Sequence, residues 1–224
     1  MNEDNMTVTT LPELKSKIEG LAFGQPRILV AIAGPPTSGK STLAEDLACT
    51  LGSTAVVLPM DGFRLENDQL QEMGLLHRKG APETFDAEGF VSLLRRVRNE
   101  STIPFPTFDR EADKIVPNSG QIHEGTRIVL IEGNYLLLNL RPWSDLNNLF
   151  DLTVWLKVDR EELEARLISR WLTHGLQPDD ARTRVLGNDK KNVTFVEANS
   201  IAPDVTLKSR RSQVIFFPAS KLFN

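Results

Sequence analysis

An eight-residue run sets most of the limits on what this chain can fold into. Gly34-Pro-Pro-Thr-Ser-Gly-Lys-Ser41 fits G-x-x-x-x-G-K-[ST] at every fixed position, a coincidence on the order of one per cent for ordinary glycine usage. The residues just before it, Arg27 to Ala33, are nearly all apolar. An apolar run this short, without alternation, suits a parallel strand covered on both faces. A helix is expected from Ser41 to about Leu51. Strand, glycine-rich turn and helix start together make an anion cradle. Glycine lets the backbone turn tightly with its N–H groups pointing inward, and the helix adds the positive end of its dipole.

Each position of the run then has a chemical reading. Gly34, Pro35, Pro36, Thr37, Ser38 and Gly39 form the turn whose amides face a phosphate chain. Lys40 supplies a compact charge for β- and γ-phosphates, and the Ser41 hydroxyl is an oxygen ligand of the kind Mg²⁺ prefers. Thr42 either reaches the α-phosphate or only starts the helix. A guanine-reading Asn/Thr-Lys-x-Asp is missing. The nearest match is Leu156-Lys-Val-Asp159, and Leu156 cannot make the amide contact. An LSGGQ-type signature is also absent. A small-molecule kinase or a simple NTPase remains.

The rest of the chain alternates strands with helices. Helices are expected at Thr10 to Ala22, Asp86 to Arg98 and Asp159 to His174, the last with an Asp159/Glu162 capping box. Pro178 opens another, running to about Ala198. Strands are expected at Ala55 to Leu58, Arg127 to Ile131 and Leu152 to Val158, with late candidates at Val205 to Leu207 and Val214 to Phe217. Such alternation means a parallel sheet with helices on both faces, and ligands at the carboxyl ends of its strands. With 224 residues, the chain suits one domain over 25–224, with a helix in 1–24 packed on it. Net charge −4 argues against a nucleic-acid partner. Arg95, Arg96 and Arg98 read as a solvated helix face. No apolar run approaches the roughly 18 residues of a membrane span. A single cysteine, Cys49, suits a cytoplasmic protein.

Two carboxylates follow strand ends. Asp61 lies in Leu-Pro-Met-Asp-Gly-Phe-Arg64 and Glu132 in Ile-Glu-Gly-Asn-Tyr135. If their strands flank the strand before the glycine-rich turn, both reach the γ-phosphate region. Phosphoryl transfer needs one acid to orient and deprotonate a hydroxyl and another to anchor Mg²⁺ or its waters. Asp61, followed by Gly62, Phe63 and Arg64, is the better base, and Glu132 the better metal partner. The plainer readings are a turn aspartate and a solvated strand end.

These features, in order, resemble the phosphoribulokinase/uridine kinase family of P-loop kinases, which includes bacterial pantothenate kinase. The matching residues are Gly34 to Ser41, Met60-Asp-Gly-Phe63, Arg78-Lys-Gly-Ala-Pro-Glu-Thr-Phe-Asp86, Pro106-Thr-Phe-Asp-Arg110, Ile131-Glu-Gly133 and the helix bearing Arg166. The Lys79 to Asp86 segment and Asn188-Asp-x-x-Asn192 look closest to a bacterial branch whose name, fructose transport system kinase, points to sugar transport. The resemblance covers roughly residues 25–218. It implies a P-loop NTPase three-layer α/β/α fold, with a mainly parallel central sheet and a helical lid within about 160–200. It also implies Mg²⁺ and ATP as cofactors, Asp61 as base, Glu132 as the acidic partner of Mg²⁺, and a homodimer. Arg166 and Arg170 share one helix face, opposite Leu163, Leu167 and Trp171, and would close over the triphosphate. The plain alternative for Arg166 is an i,i+4 pair with Glu162.

The acceptor pocket is read from scattered polar residues. Arg64, Asp109 and Arg110 border it in this reading, Asp109 and Arg110 after an irregular extended segment, Pro104 to Phe108. Tyr135 either packs on the acceptor or sits in the core. Asn188 and Asn192 either read hydroxyls or face solvent. Residues 217–220 are a candidate adenine border. The expected activity is transfer of the ATP γ-phosphate to a hydroxyl of a small metabolite, a sugar such as fructose first. A nucleoside or pantothenate kinase, or an ATP-binding regulatory protein with no acceptor, is the alternative.

Overall fold

The computed structural model describes residues 8–209, so the candidates at 214–217 and 217–220 lie outside the described residues. Among the described residues eight strands form: β1 (Val8–Thr9), β2 (Ile28–Ala33), β3 (Ala55–Pro59), β4 (Ile103–Asp109), β5 (Lys114–Ile122), β6 (Ile128–Gly133), β7 (Leu152–Lys157) and β8 (Val205–Lys208). Six of them make one sheet in the order β1-β8-β7-β2-β6-β3, every pairing parallel. The α-helices of the described residues are α1 (Leu11–Ala22), α2 (Lys40–Leu51), α3 (Asn67–Glu72), α4 (Ala87–Val97), α5 (Arg160–Thr173), α6 (Pro178–Arg184) and α7 (Lys190–Asn199).

The apolar run of β2 explains its central place. Leu29, Ala31 and Ala33 enter one core with α4 and the Tyr135–Leu138 stretch, while Ile28, Val30 and Ile32 enter the other with α1 and α2. Val129 and Ile131 of β6 face the first core, Ile128 and Leu130 the second. Successive side chains point to opposite faces of a strand, so a strand covered on both sides must be apolar throughout. A third, smaller core joins Val158, Leu163 and Leu167 with Val185 and Val193. It ties α5 to α7 and to Val185, the residue just after α6, as a helical layer.

Three details differ from the sequence reading. The proposed capping box on α5 does not form: Asp159 is the N-cap residue but its carboxylate makes no cap hydrogen bond. It pairs with Lys208 at 3.4 Å, and Glu162 pairs with Arg166 at 2.6 Å. Nearby cations outbid the backbone amides for both carboxylates. The single helix expected from Pro178 is divided by a five-residue π-helix, Val185–Asp189. Its Gly187, Asn188 and Asp189 are weak α-formers, and the wider turn rotates Asp189 inward. Pro104 to Phe108 is regular, forming most of β4 in an antiparallel hairpin with β5. Pro106 cannot donate to the ladder, and the register shifts between Phe105 and Thr107. Pro117, Asn118 and Gly120 hide β5 from a periodicity argument.

Candidate active site

Parallel pairing fixes the site. Ile32 lies opposite Glu132 and Ala33 opposite Gly133, while Pro59 lies opposite Glu132 on the other side. Three neighbouring strands therefore end level. The glycine-rich turn leaves β2, Glu132 is the last residue but one of β6, and Asp61 stands two residues past the end of β3. They share a cleft of about 230 Å³ lined by Pro36, Thr37, Gly39, Lys40, Ser41, Thr42, Asp61, Arg64, Arg110, Glu132, Gly133, Asn134 and Arg170.

The turn has the strained backbone its sequence implies. Gly39 takes φ +97° and Thr37 φ +60°, the second uncommon for a residue with a side chain. A Cβ on Gly34 would lie 2.9 Å from the Leu156 carbonyl oxygen, so β7 packs directly beneath the turn. Lys40 Nζ donates to the Pro35 carbonyl at 2.8 Å and to Ser38 Oγ at 3.4 Å. Burial pulls its pKa down to about 8, against the raising pull of the Glu132 and Asp61 carboxylates. Ser41 Oγ donates to Glu132 Oε1 at 3.1 Å. Burial pushes the Glu132 carboxyl above the usual range, opposed chiefly by Lys40.

Asp61 faces this group from the other wall. Arg64 Nη2 donates to its Oδ1 at 2.9 Å and Arg110 Nη2 to its Oδ2 at 3.5 Å. Arg64 is held between two rings, 5.1 Å from the Phe85 centroid and 5.0 Å from that of Phe108. Its Nε is buried without a hydrogen-bond partner, as is Thr37 Oγ1. Arg170 reaches the cleft from α5, and burial lowers its pKa.

The remaining expected residues fall elsewhere. Arg166 does not line the cleft. Its Nη1 donates to the Thr37 and Ser38 carbonyls at 3.3 and 3.1 Å, and its Nη2 holds Glu162; it braces the turn from behind. Asp109 caps the hairpin turn instead of an acceptor, its Oδ1 accepting from the Glu111 and Ala112 amides at 2.9 and 3.0 Å. Tyr135 is wholly buried among Phe85 and Trp143, its hydroxyl donating to the Gly80 carbonyl. Asn188 accepts from Arg78 Nη1 at 3.3 Å, and Asn192 is buried in α7; neither lines the cleft. Gly133 and Asn134 line it unforeseen, although their place right after Glu132 was the available signal. Arg95, Arg96 and Arg98 pair with Asp145, Glu100 and Asp151 on the surface. No helix of the described residues is long and apolar enough to cross a membrane.

The chain is similar to known proteins. Residues 29–208 match the phosphoribulokinase/uridine kinase family. A structure described as a "putative fructose transport system kinase" from Silicibacter superposes with a TM-score of 0.84 at 43% identity, over 88% of this chain and 98% of that one. A "putative uridine kinase" of Schizosaccharomyces pombe is 36% identical over 225 aligned residues, 95% of this chain and 96% of the relative. A pantothenate kinase of Lactococcus lactis is 31% identical over 154 residues, 65% of this chain and 50% of that protein. The chain therefore belongs to the phosphoribulokinase/uridine kinase family, whose members are ATP-dependent kinases that phosphorylate hydroxyl groups of small molecules.

Proposed function

We propose that the chain transfers the γ-phosphoryl group of Mg²⁺-ATP to a hydroxyl of a sugar or sugar derivative, fructose being the first candidate. The observation that carries the reading is the convergence of Lys40, Ser41, Glu132 and Asp61 on one cleft. The turn amides, Lys40 and Arg170 bind and neutralise the phosphate chain. The unpartnered Thr37 hydroxyl is a ready donor to a phosphate oxygen. Asp61 takes the proton of the attacking hydroxyl as its oxygen bonds to the γ-phosphorus and the bond to the β-phosphate oxygen breaks. Arg166 keeps the turn carbonyls from drifting into the space the phosphates need. A sugar is favoured by the polar, cation-rich wall around Asp61 and by the description of the Silicibacter relative.

The donor set fits Mg²⁺. Ser41 Oγ and Glu132 Oε1 are hard oxygens 3.1 Å apart. Mg²⁺ is usually held by one or two protein oxygens, with phosphates and water completing the shell. When bound, the ion would offset charge on the phosphates.

The test is incubation with Mg²⁺-ATP and a pooled panel of sugars, sugar alcohols, nucleosides and pantothenate, read by mass for a gain of one phosphoryl group. A sugar product that vanishes in Lys40→Ala and Asp61→Asn is expected. A nucleoside or pantothenate product would replace the acceptor class. ATP binding with no product, and hydrolysis indifferent to Asp61→Asn, would remove the assignment of Asp61.

A further inference from the structure

Arg170 has an unusual setting for a residue aimed at phosphates. The residue is exposed on α5, yet the protein atoms crowding its guanidinium lower its pKa, and among the described residues no carboxylate pairs with it directly. Its guanidinium stands 5.6 Å from the Trp171 ring centroid, and Arg184 lies against the same ring at 4.3 Å. Trp171 is itself pinned, its Nε1 donating to Asp189 Oδ2 at 2.6 Å. Asp189 is only 8% exposed and ends the π-helical turn between α6 and α7. A carboxylate placed there is costly, because burial disfavours its charge. Trp171, Arg170 and Arg184 are the groups that offset this cost, and Asp189 is in turn the strongest favourable charge acting on Arg170.

We infer that Asp189 is a positioning residue: presented by the π-turn, it fixes the Trp171 ring and holds the Arg170 guanidinium in the cleft, ready for the γ-phosphate. A solvent-accessible cation without a direct partner would swing toward bulk water or toward Asp61 whenever the cleft is empty. A fixed negative charge behind it, with a rigid ring beside it, keeps it in place without a direct ion pair that the phosphate would have to break. The π-turn has a purpose in this arrangement. A regular helix through residues 185–189 would rotate Asp189 away from Trp171.

The inference rests on the reading of Arg170 as a γ-phosphate contact, and the test separates the two. Affinities for Mg²⁺-ADP and Mg²⁺-AMP-PNP would be measured calorimetrically on the full chain, so no acceptor is needed. Asp189→Asn is the informative variant, since the amide oxygen can still accept from Trp171 while the charge is gone. Arg170→Ala should weaken AMP-PNP about tenfold and leave ADP within about twofold. Asp189→Asn should do the same to a similar extent, and the double variant should be no worse than Arg170→Ala, as expected for residues acting as one unit. Melting temperature is followed for every variant. If Asp189→Asn weakens both nucleotides equally, or adds its full effect to Arg170→Ala, its role is structural and the inference fails. If Arg170→Ala costs tenfold and Asp189→Asn nothing, the inference fails while the reading of Arg170 stands. An Arg170→Ala chain that keeps its preference for AMP-PNP removes both.

Discussion

ATP should draw a proton from solution as it settles onto Lys40. The ammonium is buried and its pKa stands at about 8 instead of 10.5. A triphosphate brings several negative charges into contact and restores the charged form. At pH 9 a group with a pKa of about 8 is about 9% protonated, so full restoration means uptake of about 0.9 proton per ATP. At pH 8 the figure is about 0.5, and at pH 7 under about 0.1. The assay is titration calorimetry in buffers of different ionisation enthalpy, whose slope counts protons. Lys40→Ala should lose the pH 9 uptake. Uptake below about 0.2 proton in the parent chain, or undiminished uptake in Lys40→Ala, would refute the argument. The same shift bears on stability. An unfolded Lys40 binds its proton up to about pH 10.5, a folded one only to about pH 8. Below pH 8 the folded chain carries the whole penalty, about 3 kcal/mol, and it fades as pH rises from 8 to 10.5. Without nucleotide, Lys40→Met should therefore melt higher at pH 7 than the parent, and the gap should narrow toward pH 10.

Three further outcomes follow from particular contacts. Arg27 is 7% exposed and donates to the carbonyls of Val97, Glu100, Ser101, His123 and Thr126; Arg27→Met strands these acceptors and should cost about 3 kcal/mol or more in urea unfolding. Tyr135→Phe leaves the Gly80 carbonyl short of a donor and should cost about 1–2 kcal/mol in the same measurement, with ATP affinity within twofold of the parent. In Gly62→Ala the new Cβ would sit 2.1 Å from the Pro106 carbonyl oxygen. The hairpin must then move off the Asp61 segment, and phosphoryl transfer should fall at least tenfold while ATP affinity, measured by calorimetry, changes little.

The legible parts of this chain are those whose physics is local. The glycine-rich turn, the apolar strands and the start of α4 at Asp86, whose carboxylate accepts from the Gly89 amide, follow from adjacent residues, and the sheet follows from the alternation of strands and helices. Asp61 and Glu132 were readable because a parallel sheet gathers the residues at its strand ends. Arg166 was ambiguous, since its helix face is shared by Arg170, and only the distance to the Thr37 and Ser38 carbonyls separates a brace from a cleft residue. Asp109 and Tyr135 misled for a related reason. An Asp beside Arg110, and a Tyr three residues past Glu132, fit a pocket equally well as a turn cap and a core ring. Long-range contacts decide such cases, and so does the π-turn, whose width no heptad or 3.6-residue pattern records.

The level ends of β2, β6 and β3 also bear on how such a protein can change over evolutionary time. The spacing between the phosphate-gripping turn, Glu132 and the segment carrying Asp61 is set by hydrogen-bonded neighbours in the sheet interior. By contrast Arg110, Phe108 and Arg170 arrive from the hairpin and the helical layer, elements with few ties to the sheet. Mutations there can reshape what is recognised without moving the parts proposed to perform the transfer. A lineage built on this plan can therefore exchange one acceptor for another by small steps, each passing through a protein that still handles ATP.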